Sequence, residues 1–545
     1  MNSHSLFRRG GLKLAAATLL LTGGLSACTK DLDRSPFYDL NTESVYSDPA
    51  NYVKVLAKLY AGFNLSGQGT TGSPDVFAGA GKDEGETSYL RAYWYLQELT
   101  TDEAVVAWNS GPLQELNTGT WSSSNDLINN NYTRIFYEVA ACNEFIRETT
   151  DDKLSSRNIT GADADAAHLD RAEARFLRAL AYYHALDMYA NVPFVTEADA
   201  PSKALPKQTT RAALFTYIES ELKAIEPLLK AARQGPYGRA DQGAAQTLLA
   251  KLYLNAEVYT GTARYTDCLT YCNKILGEGY KLAPEYRLLF LADNNVTAAS
   301  EIIFPIESDG LVSQCYGGTT YLVHAAIGGS MVGSNYGVSS GWAGNRTRKN
   351  LPLLFPAPAT GTDSRAMFFQ PGQSLEISDL TQFNQGYGVT KWKNVTSTGA
   401  AGHDPTGTFV DTDFPLFRLA DVYLMYAESV LRGGAGGTQT QALAYVNALR
   451  DRAYNNPAGG TNGHITAADL TSPDFILAER GREMYWEGTR RTDLVRFGHF
   501  TNATYLWPWK GGVAAGKAVA DTRNIYPLPS TDVVANPTLI QNPGY

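Results

Sequence analysis

The stretch HLDRAEARFLRALAYYHALDMY, residues 168–189, decides the fold class of this 545-residue chain. Its apolar residues recur at steps of three or four, which is the period of an amphipathic helix. The resulting stripe consists of Leu169, Ala172, Phe176, Leu180, Tyr183 and Leu186. A continuous stripe of this length has to be buried against other elements, so the sequence predicts a long helix inside a helical scaffold.

The same period returns in two pairs of segments, each pair separated by a short turn. The pairs are 243–259 with 265–276, and 415–434 with 441–453. Small alanines at the positions where helices would approach suggest tetratricopeptide-like hairpins, although the spacing is too irregular for a formal repeat. We therefore expect a mainly α fold, with a tetratricopeptide-like helical-hairpin scaffold over 168–290 and 416–500.

Two other regions lack this helical period. Residues 62–125 and 310–415 are rich in Gly, Ser, Thr and Asn, with tryptophans and tyrosines dispersed among them. Long loops of this kind are usually functional or disordered, and the density of aromatic residues argues against disorder. We expect them to form a loop-rich, aromatic-bearing second lobe carried by the scaffold.

The N-terminus has the order of a secretory signal peptide. Arg8, Arg9 and Lys13 provide positive charge, and residues 14–21 form an apolar run too short to span a bilayer. Leu-Ser-Ala-Cys follows at 25–28 and resembles the lipobox of bacterial lipoproteins, in which the cysteine thiol is lipidated.

This resemblance implies that residues 1–27 are a lipoprotein signal peptide and that Cys28 anchors the mature chain, 28–545, to the membrane. The polar and acidic residues 29–33 resemble the tag that sends lipoproteins of Bacteroidetes to the outer face of the outer membrane. We therefore expect a lipid-anchored protein of the outer membrane that faces the exterior. The alternative is a plain secreted protein in which the cysteine is incidental.

Charge and cysteine content exclude several functions. The formal net charge of −9 and the pI near 5.4 disfavour nucleic acid as a partner, since phosphate binding requires a basic surface. Cys268 and Cys272 lie one helical turn apart, but no second cysteine pair or neighbouring histidine completes a zinc site. We expect the cysteines that follow Cys28 to be buried free thiols.

Few motifs point to catalysis. Residues 67–72 read G-x-G-x-x-G but precede Ser73-Pro74, so no helix opens there to face a pyrophosphate. The acidic cluster 83–86 offers carboxylates, yet neighbours on one loop are not automatically placed across a sugar ring. The sequence contains no H-E-x-x-H motif. We expect a protein that is not an enzyme and that requires no cofactor.

Glu479, Glu483 and Glu487 lie four residues apart, as expected for one face of a helix. The arginines among them are Arg480, Arg482, Arg490 and Arg491. Alternating charges at this spacing favour a structural ion network over an acid–base or metal site.

Several fragments together resemble the SusD/RagB-like family of Bacteroidetes glycan-binding lipoproteins. They are AEARFLRALAYYHALDMYANVPF (172–194), GRADQGAAQTLLAKLYLNAEVYTG (238–261), FRLADVYLMYAESVLRGG (417–434), ERGREMYWEGTRRTDLVRFG (479–498) and NPTLIQNPGY (536–545). The resemblance implies a SusD-like fold and a protein that binds a glycan and delivers it. Its implied partner is a SusC-like TonB-dependent outer-membrane barrel, over which it sits as a lid.

Four further fragments resemble the starch-binding founder of that family in particular. They are GSPDVFAGAGKDEGETSYLR (72–91), ELTTDEAVVAW (98–108), GGTTYLVH (317–324) and YLWPWKGG (505–512). The resemblance implies an arc of three aromatic rings that holds an α-glucan, together with polar groups that bind its hydroxyls. The matching rings are Trp108, Tyr316 and Trp342, and the matching polar positions are Asp83, Arg91 and Asn109.

Carbohydrate chemistry supports this assignment, because a pyranose presents an apolar C–H face and a rim of hydroxyls. Flat rings suit the face, and amides, carboxylates or guanidinium groups suit the rim. We expect Trp94, Trp392 and Trp486 to be core residues instead. The alternatives are a different glycan, such as a fructan or host oligosaccharide, and a glycoside hydrolase using the 83–86 carboxylates.

In the family that the chain resembles, a structural calcium ion is sometimes bound in the surface loops. The oxygen ligands nearest to such a position are Asp293, Asp411 and Asp413.

Overall fold

The computed structural model describes residues 42–68, 73–77, 82–199, 204–356 and 361–545. Its helices are α1 (Thr42–Tyr46), α2 (Tyr52–Ala61), α3 (Tyr89–Trp94), α4 (Gly111–Thr118), α5 (Asp126–Glu148), α6 (Asp151–Ser156), α7 (Ala162–Tyr189), α8 (Arg211–Ile225), α9 (Gln242–Leu254), α10 (Ala256–Thr260), α11 (Tyr265–Gly277), α12 (Asn294–Thr297), α13 (Gly318–Ala325), α14 (Leu419–Leu431), α15 (Gln439–Ala453), α16 (Ala467–Leu470), α17 (Pro473–Met484), α18 (Arg490–Arg496) and α19 (Ser530–Ala535). The strands are β1 (Val105–Val106), β2 (Ile302–Ile306), β3 (Asn345–Arg346), β4 (Phe368–Phe369), β5 (Gly388–Val389) and β6 (Phe414–Arg418).

The chain divides at Tyr52 into two units, and the contacts and the candidate site described below lie in the second, Val53–Tyr545. The predicted signal peptide 1–27 and Cys28 fall outside the described residues. Among the described helices, none combines the length and the apolar character needed to cross a bilayer.

The predicted helix 168–189 forms the C-terminal part of α7. From Phe176 onward every residue of α7 is buried, so this part is enclosed on all sides and not along one stripe alone. It packs against α5 and α8. Its charged residues have polar partners: Arg178 binds Glu221 at 2.9 Å, and Asp187 accepts hydrogen bonds from Gln97 and Tyr259. Because the charged groups have polar partners and many of the other residues are small alanines, a helix with both polar and apolar residues can lie in the core.

Both predicted hairpins are present. Helix α9 packs against α11, and α14 packs against α15, which confirms the mainly α, tetratricopeptide-like fold. The first segment of the first pair is not continuous, because α9 ends before Asn255 and α10 begins after it. The Asn255 side-chain amide donates to the Lys251 carbonyl, a local bond that competes with the helix.

The prediction that 415–418 begins a helix is wrong. These residues belong to β6, which pairs antiparallel with β2 and is buried along its whole length. Leu416 fits the helical stripe by spacing, but a short apolar run before a helix is equally compatible with a buried strand.

The two regions predicted to be loop-rich also contain the helices α3, α4 and α13, which are only 6 to 8 residues long and therefore too short to show a helical period in the sequence. The two loop-rich regions meet through a short ladder. Strand β1, from the first region, pairs antiparallel with β3, from the second, with Val105 opposite Arg346 and Val106 opposite Asn345. The Ala107 N–H extends the ladder by donating to the Gly344 carbonyl at 2.8 Å. Residues just after β1 and just before β3 are thereby brought side by side.

The glutamates of 479–487 take part in a buried ion network, as predicted. Most of their partners, however, are basic residues from distant parts of the chain and not the arginines close to them in sequence. Glu483 is fully buried and binds Arg365 at 3.1 Å, Arg418 at 2.7 Å and Arg452. Helix α17 ends at Met484, so Glu487 lies beyond it and not on the same helical face. Burial alone would raise the pKa of Glu483, but the three arginines outweigh it and lower that pKa to about 2.

The four cysteines Cys142, Cys268, Cys272 and Cys315 are free and buried, as predicted. Burial raises the pKa of the Cys315 thiol to about 12, so this side chain is neutral and unreactive at physiological pH.

Replacing Glu483 by glutamine should lower the free energy of unfolding by about 3–5 kcal/mol, because three buried guanidinium groups lose a shared counter-ion. Urea unfolding followed by circular dichroism measures the change. Glu376→Gln is the matched control, since Glu376 pairs with Lys349 at 2.9 Å but its side chain is 70% exposed. An exposed pair contributes only about 0–1 kcal/mol. Equal losses in the two variants would contradict a structural role for the network.

Candidate functional site

The three predicted aromatic residues lie together, beside the β1–β3 ladder. Trp108 follows β1, Trp342 precedes β3, and Tyr316 precedes helix α13. The Trp108 Nε1–H donates to the Trp342 carbonyl at 3.0 Å, although 234 positions separate them in the chain. The Tyr316 and Trp342 rings are 6.3 Å apart between centroids and inclined at 56°. Trp108, Trp342 and Tyr316 thus form a continuous set, which we term the aromatic arc.

The arc is accessible to solvent, unlike the tryptophans predicted to be core residues. Tyr316 is 38% exposed, and Trp108 and Trp342 are half-buried. Trp94 and Trp486 are fully buried, and Trp392 is 2% exposed, which confirms their core positions.

A second layer of aromatic residues supports the arc from within. Tyr321 meets Trp108 edge-on at 6.0 Å, His324 stacks on Trp342 at 4.7 Å, and Phe409 lies 5.3 Å from Tyr316. Burial lowers the pKa of His324, which favours a neutral ring behind the tryptophan. Sequence reasoning did not identify this layer, although Tyr321 and His324 are spaced three apart on α13 and therefore share a face.

Arg91 lies beneath the arc. Its guanidinium group donates to the Tyr316 carbonyl at 3.2 Å and to the Tyr95 hydroxyl at 2.9 Å, and lies 4.5 Å from the centre of the Tyr321 ring. The Arg91 side chain is only 4% exposed. Burial disfavours its charge, but Tyr95, Asp83 and Glu86 together raise the pKa of Arg91 above its ordinary value. A charged, buried Arg91 therefore links the chain segments that carry Trp108 and Tyr316.

The two other predicted polar residues are open to solvent. The Asp83 side chain is 56% exposed, and its Oδ1 accepts from Arg91 at 3.1 Å. Asn109 is exposed directly beside Trp108. The remaining acidic residues of 83–86 are held by the protein: Glu84 accepts from the Tyr316 N–H at 3.2 Å and from the Ser66 hydroxyl, and burial raises the pKa of Glu86.

A glycine is required where the arc approaches the backbone. A Cβ at Gly344 would lie 2.7 Å from the Trp108 ring, closer than real side chains pack. The indole therefore lies directly against the Gly344 backbone, which fixes its plane.

The predicted calcium ligands do not converge: among the described residues, the group of three metal-ligating side chains whose ligand atoms lie within 4.8 Å of one another contains Asp411 but neither Asp293 nor Asp413. Asp293 accepts hydrogen bonds from Ser397, whereas Asp413 accepts from the Tyr237 hydroxyl and the Ser308 N–H. Burial raises the pKa of Asp413 to about 7, which disfavours its charged form. Asp411 binds other backbone groups, near His403. Calcium prefers six to eight oxygens around one point, so Asp293, Asp411 and Asp413 do not fit such a centre.

Two family models match the chain. The model described as "SusD family" matches residues 363–545, and the model described as "Starch-binding associating with outer membrane" matches residues 76–254. The chain is 35% identical to the starch-binding protein SusD of Bacteroides thetaiotaomicron, over 97% of this chain and 98% of that protein. It is 23% identical to SusD-like protein P2 of Formosa agariphila, over 80% and 84% of the two chains.

Solved structures share the fold. Surface glycan-binding protein A from Bacteroides thetaiotaomicron superposes with a TM-score of 0.68 at 18% identity, covering 92% of this chain and 100% of that one. The same protein in complex with laminarihexaose gives a TM-score of 0.67 at 18% identity, with coverage of 90% and 99%.

Trp342→Ala should leave the free energy of unfolding within about 1–2 kcal/mol of wild type, because a half-buried ring at the surface supports little of the core. Trp94→Ala, the buried counterpart, should lose about 3–5 kcal/mol. Urea unfolding of both variants measures the contrast. A loss for Trp342→Ala as large as that for Trp94→Ala would show that the arc is part of the core.

Proposed function

Because this chain belongs to the SusD family, we propose that it is a cell-surface lipoprotein that binds starch or maltooligosaccharides and delivers them to a TonB-dependent outer-membrane transporter. The observation that carries the proposal is the aromatic arc, three accessible aromatic residues that the fold brings together from distant parts of the chain. The match to a starch-binding relative along nearly its whole length supports the same ligand class.

The shape of the arc suits a curved glucan. Each ring can cover the C–H face of one pyranose, while the exposed Asp83 and Asn109 offer groups for its hydroxyls. The 56° angle between Tyr316 and Trp342 means that successive sugars bound to them must turn relative to one another. An α-1,4-linked chain curves in this way, whereas a flat β-1,4 ribbon would favour coplanar rings.

Three rings are enough for useful but modest affinity. Covering one sugar face removes about 60 Å² of apolar surface, which contributes roughly 1.5 kcal/mol. Three such contacts with a few hydrogen bonds, less the cost of association, correspond to about 4–8 kcal/mol, or dissociation constants from about millimolar to micromolar. Weak binding of this order suits a protein that must release its ligand to a transporter.

The membrane-associated family description supports the proposed location, with Cys28 as the lipid anchor and a SusC-like barrel as partner. Binding without catalysis is favoured because Glu84 and Glu86 contact the protein's own groups around Tyr316 and Arg91. A different glycan remains the second candidate within the same role. Calcium stays a proposal without an assigned site.

Alanine at Trp108, Tyr316 or Trp342 should each weaken maltoheptaose binding by about five- to hundred-fold, because each removes one sugar-face contact. Isothermal titration calorimetry measures the affinity, and the mixtures should release no new reducing ends. Laminarihexaose and a fructan serve as comparison ligands. If laminarihexaose or the fructan bound as tightly as maltoheptaose or more tightly, that glycan would replace starch as the proposed ligand. Release of reducing ends would favour the alternative that the protein is a glycoside hydrolase.

Three control variants distinguish the loss of a sugar contact from a general effect of the substitution on the fold. Phe497→Ala removes a half-buried ring elsewhere on the scaffold and should bind as wild type. Gly344→Ala removes no sugar contact but should weaken binding, since its Cβ would meet the Trp108 ring at 2.7 Å. Gly277→Ala, whose Cβ meets nothing within 4 Å, should have no effect. Arc variants that bind as well as Phe497→Ala would eliminate the arc as the binding surface.

Cys28→Ala should release the chain from the membrane fraction without unfolding it, because the acyl chains that anchor it would no longer be attached. Fractionation in cells lacking a partner barrel measures this directly. With the wild-type cysteine and the native partner, mild detergent extraction should recover a TonB-dependent barrel with the chain. Retention of Cys28→Ala in the membrane would contradict the anchor, and repeated recovery of the chain alone would contradict the partner.

A further inference from the structure

A group of metal-ligating side chains lies outside the aromatic arc. The His403 Nδ1 is 3.2 Å from Asp411 Oδ1 and 3.9 Å from Asp309 Oδ2. One ligand atom from each of the three residues lies within 4.8 Å of the other two. We propose that Asp309, His403 and Asp411 form a binding site for Zn²⁺ or a chemically similar divalent transition metal.

The separations fit such an ion. A tetrahedral zinc bound at about 2.0–2.2 Å places neighbouring ligand atoms about 3.4 Å apart. The observed 3.2 and 3.9 Å lie on either side of that value, and the ligand atoms of Asp309 and Asp411 lie within 4.8 Å of each other, so closure of the two carboxylates toward the imidazole would complete the coordination. The His403 imidazole does not form a hydrogen bond with Asp309, because the 3.9 Å between Nδ1 and Oδ2 is beyond hydrogen-bonding distance.

The backbone fixes both carboxylates in place. Asp411 is buried, and its two oxygens accept from the Gly310 N–H at 2.8 Å and the His403 N–H at 2.6 Å. Asp309 Oδ1 accepts from the backbone N–H groups of Leu311 and Val312, and its Oδ2 is the atom on the side of His403. Hydrogen bonds of this kind orient metal ligands and reduce the cost of ordering them.

The His403 side chain is 70% exposed, which gives an ion an entry path and room for a water as fourth ligand. The ligand set also selects the metal. Two carboxylates and an imidazole suit zinc, cobalt or nickel, whereas calcium requires six to eight oxygens. Asp411, predicted as a calcium ligand with Asp293 and Asp413, therefore belongs to a different group of residues and a different class of ion.

The chain supplies a matched control. His464 Nε2 lies 2.5 Å from Asp451 Oδ1, a direct histidine–carboxylate pair that is not part of any three-ligand group among the described residues. If His403 and Asp411 were only an ion pair of this kind, neither pair would bind zinc more tightly than the other.

Chelator-treated full-length protein is titrated with Zn²⁺ by calorimetry and with Co²⁺ by visible absorption. We expect one equivalent of either metal to bind, with Co²⁺ absorption typical of a low-symmetry site. His403→Gln should weaken binding at least ten-fold, His464→Gln should not, and excess Ca²⁺ should not compete. Asp411→Asn should also abolish metal binding. If that variant fails to fold, His403→Gln still tests the site, because it changes an exposed side chain.

Absence of stoichiometric binding to the wild type would overturn the proposal, as would equal affinity in His403→Gln and wild type. Displacement of the metal by millimolar Ca²⁺ would also overturn it, since the assigned ligands do not suit calcium. None of these readouts involves a glycan, so their outcome is independent of the proposed function.

Discussion

The buried pairing of glutamates with arginines from distant segments is the constraint on which the rest of the fold depends. Glu483, at the end of α17, receives Arg418 from β6, Arg452 from α15 and Arg365 from the second loop-rich region. A charge at this depth is tolerable only with its partners, so these four elements have to assemble together. The scaffold and the loop-rich region are therefore held by one set of contacts.

The same region of the core extends to the aromatic arc. Just past Glu483, the Trp486 indole donates to the Glu103 carbonyl, and Arg490 binds Asp102 at 2.8 Å. Both acceptors directly precede β1, which leads into Trp108. These buried contacts hold the backbone that leads to Trp108 and so fix the position of the arc, while its rings stay accessible. Under the proposed function, preorganised rings would lose little entropy on binding, which would compensate for the small area that each sugar covers.

The sequence predicts the elements whose determining interactions are local in the chain, and it does not predict those that depend on contacts between distant residues. Helices α7, α9, α11 and α15 could be predicted because the apolar period is local. Strand β6 could not, because Leu416 fits either element and its partner β2 lies more than a hundred residues earlier. The membership of the arc came from family resemblance, since no periodicity relates Trp108 to Trp342. The positions of Arg91, on α3, under the rings and of Asp411 beside His403 depend on contacts between segments distant in the chain, which composition does not encode.

The central claim is that Trp108, Trp342 and Tyr316 act as one platform for a curved α-glucan. A crystal structure of the protein with maltoheptaose tests it most directly. The account predicts consecutive glucose units lying face-on against all three rings, with hydroxyls within hydrogen-bonding distance of Asp83 or Asn109. Well-ordered glucan bound elsewhere, with the aromatic arc free of sugar, would contradict it.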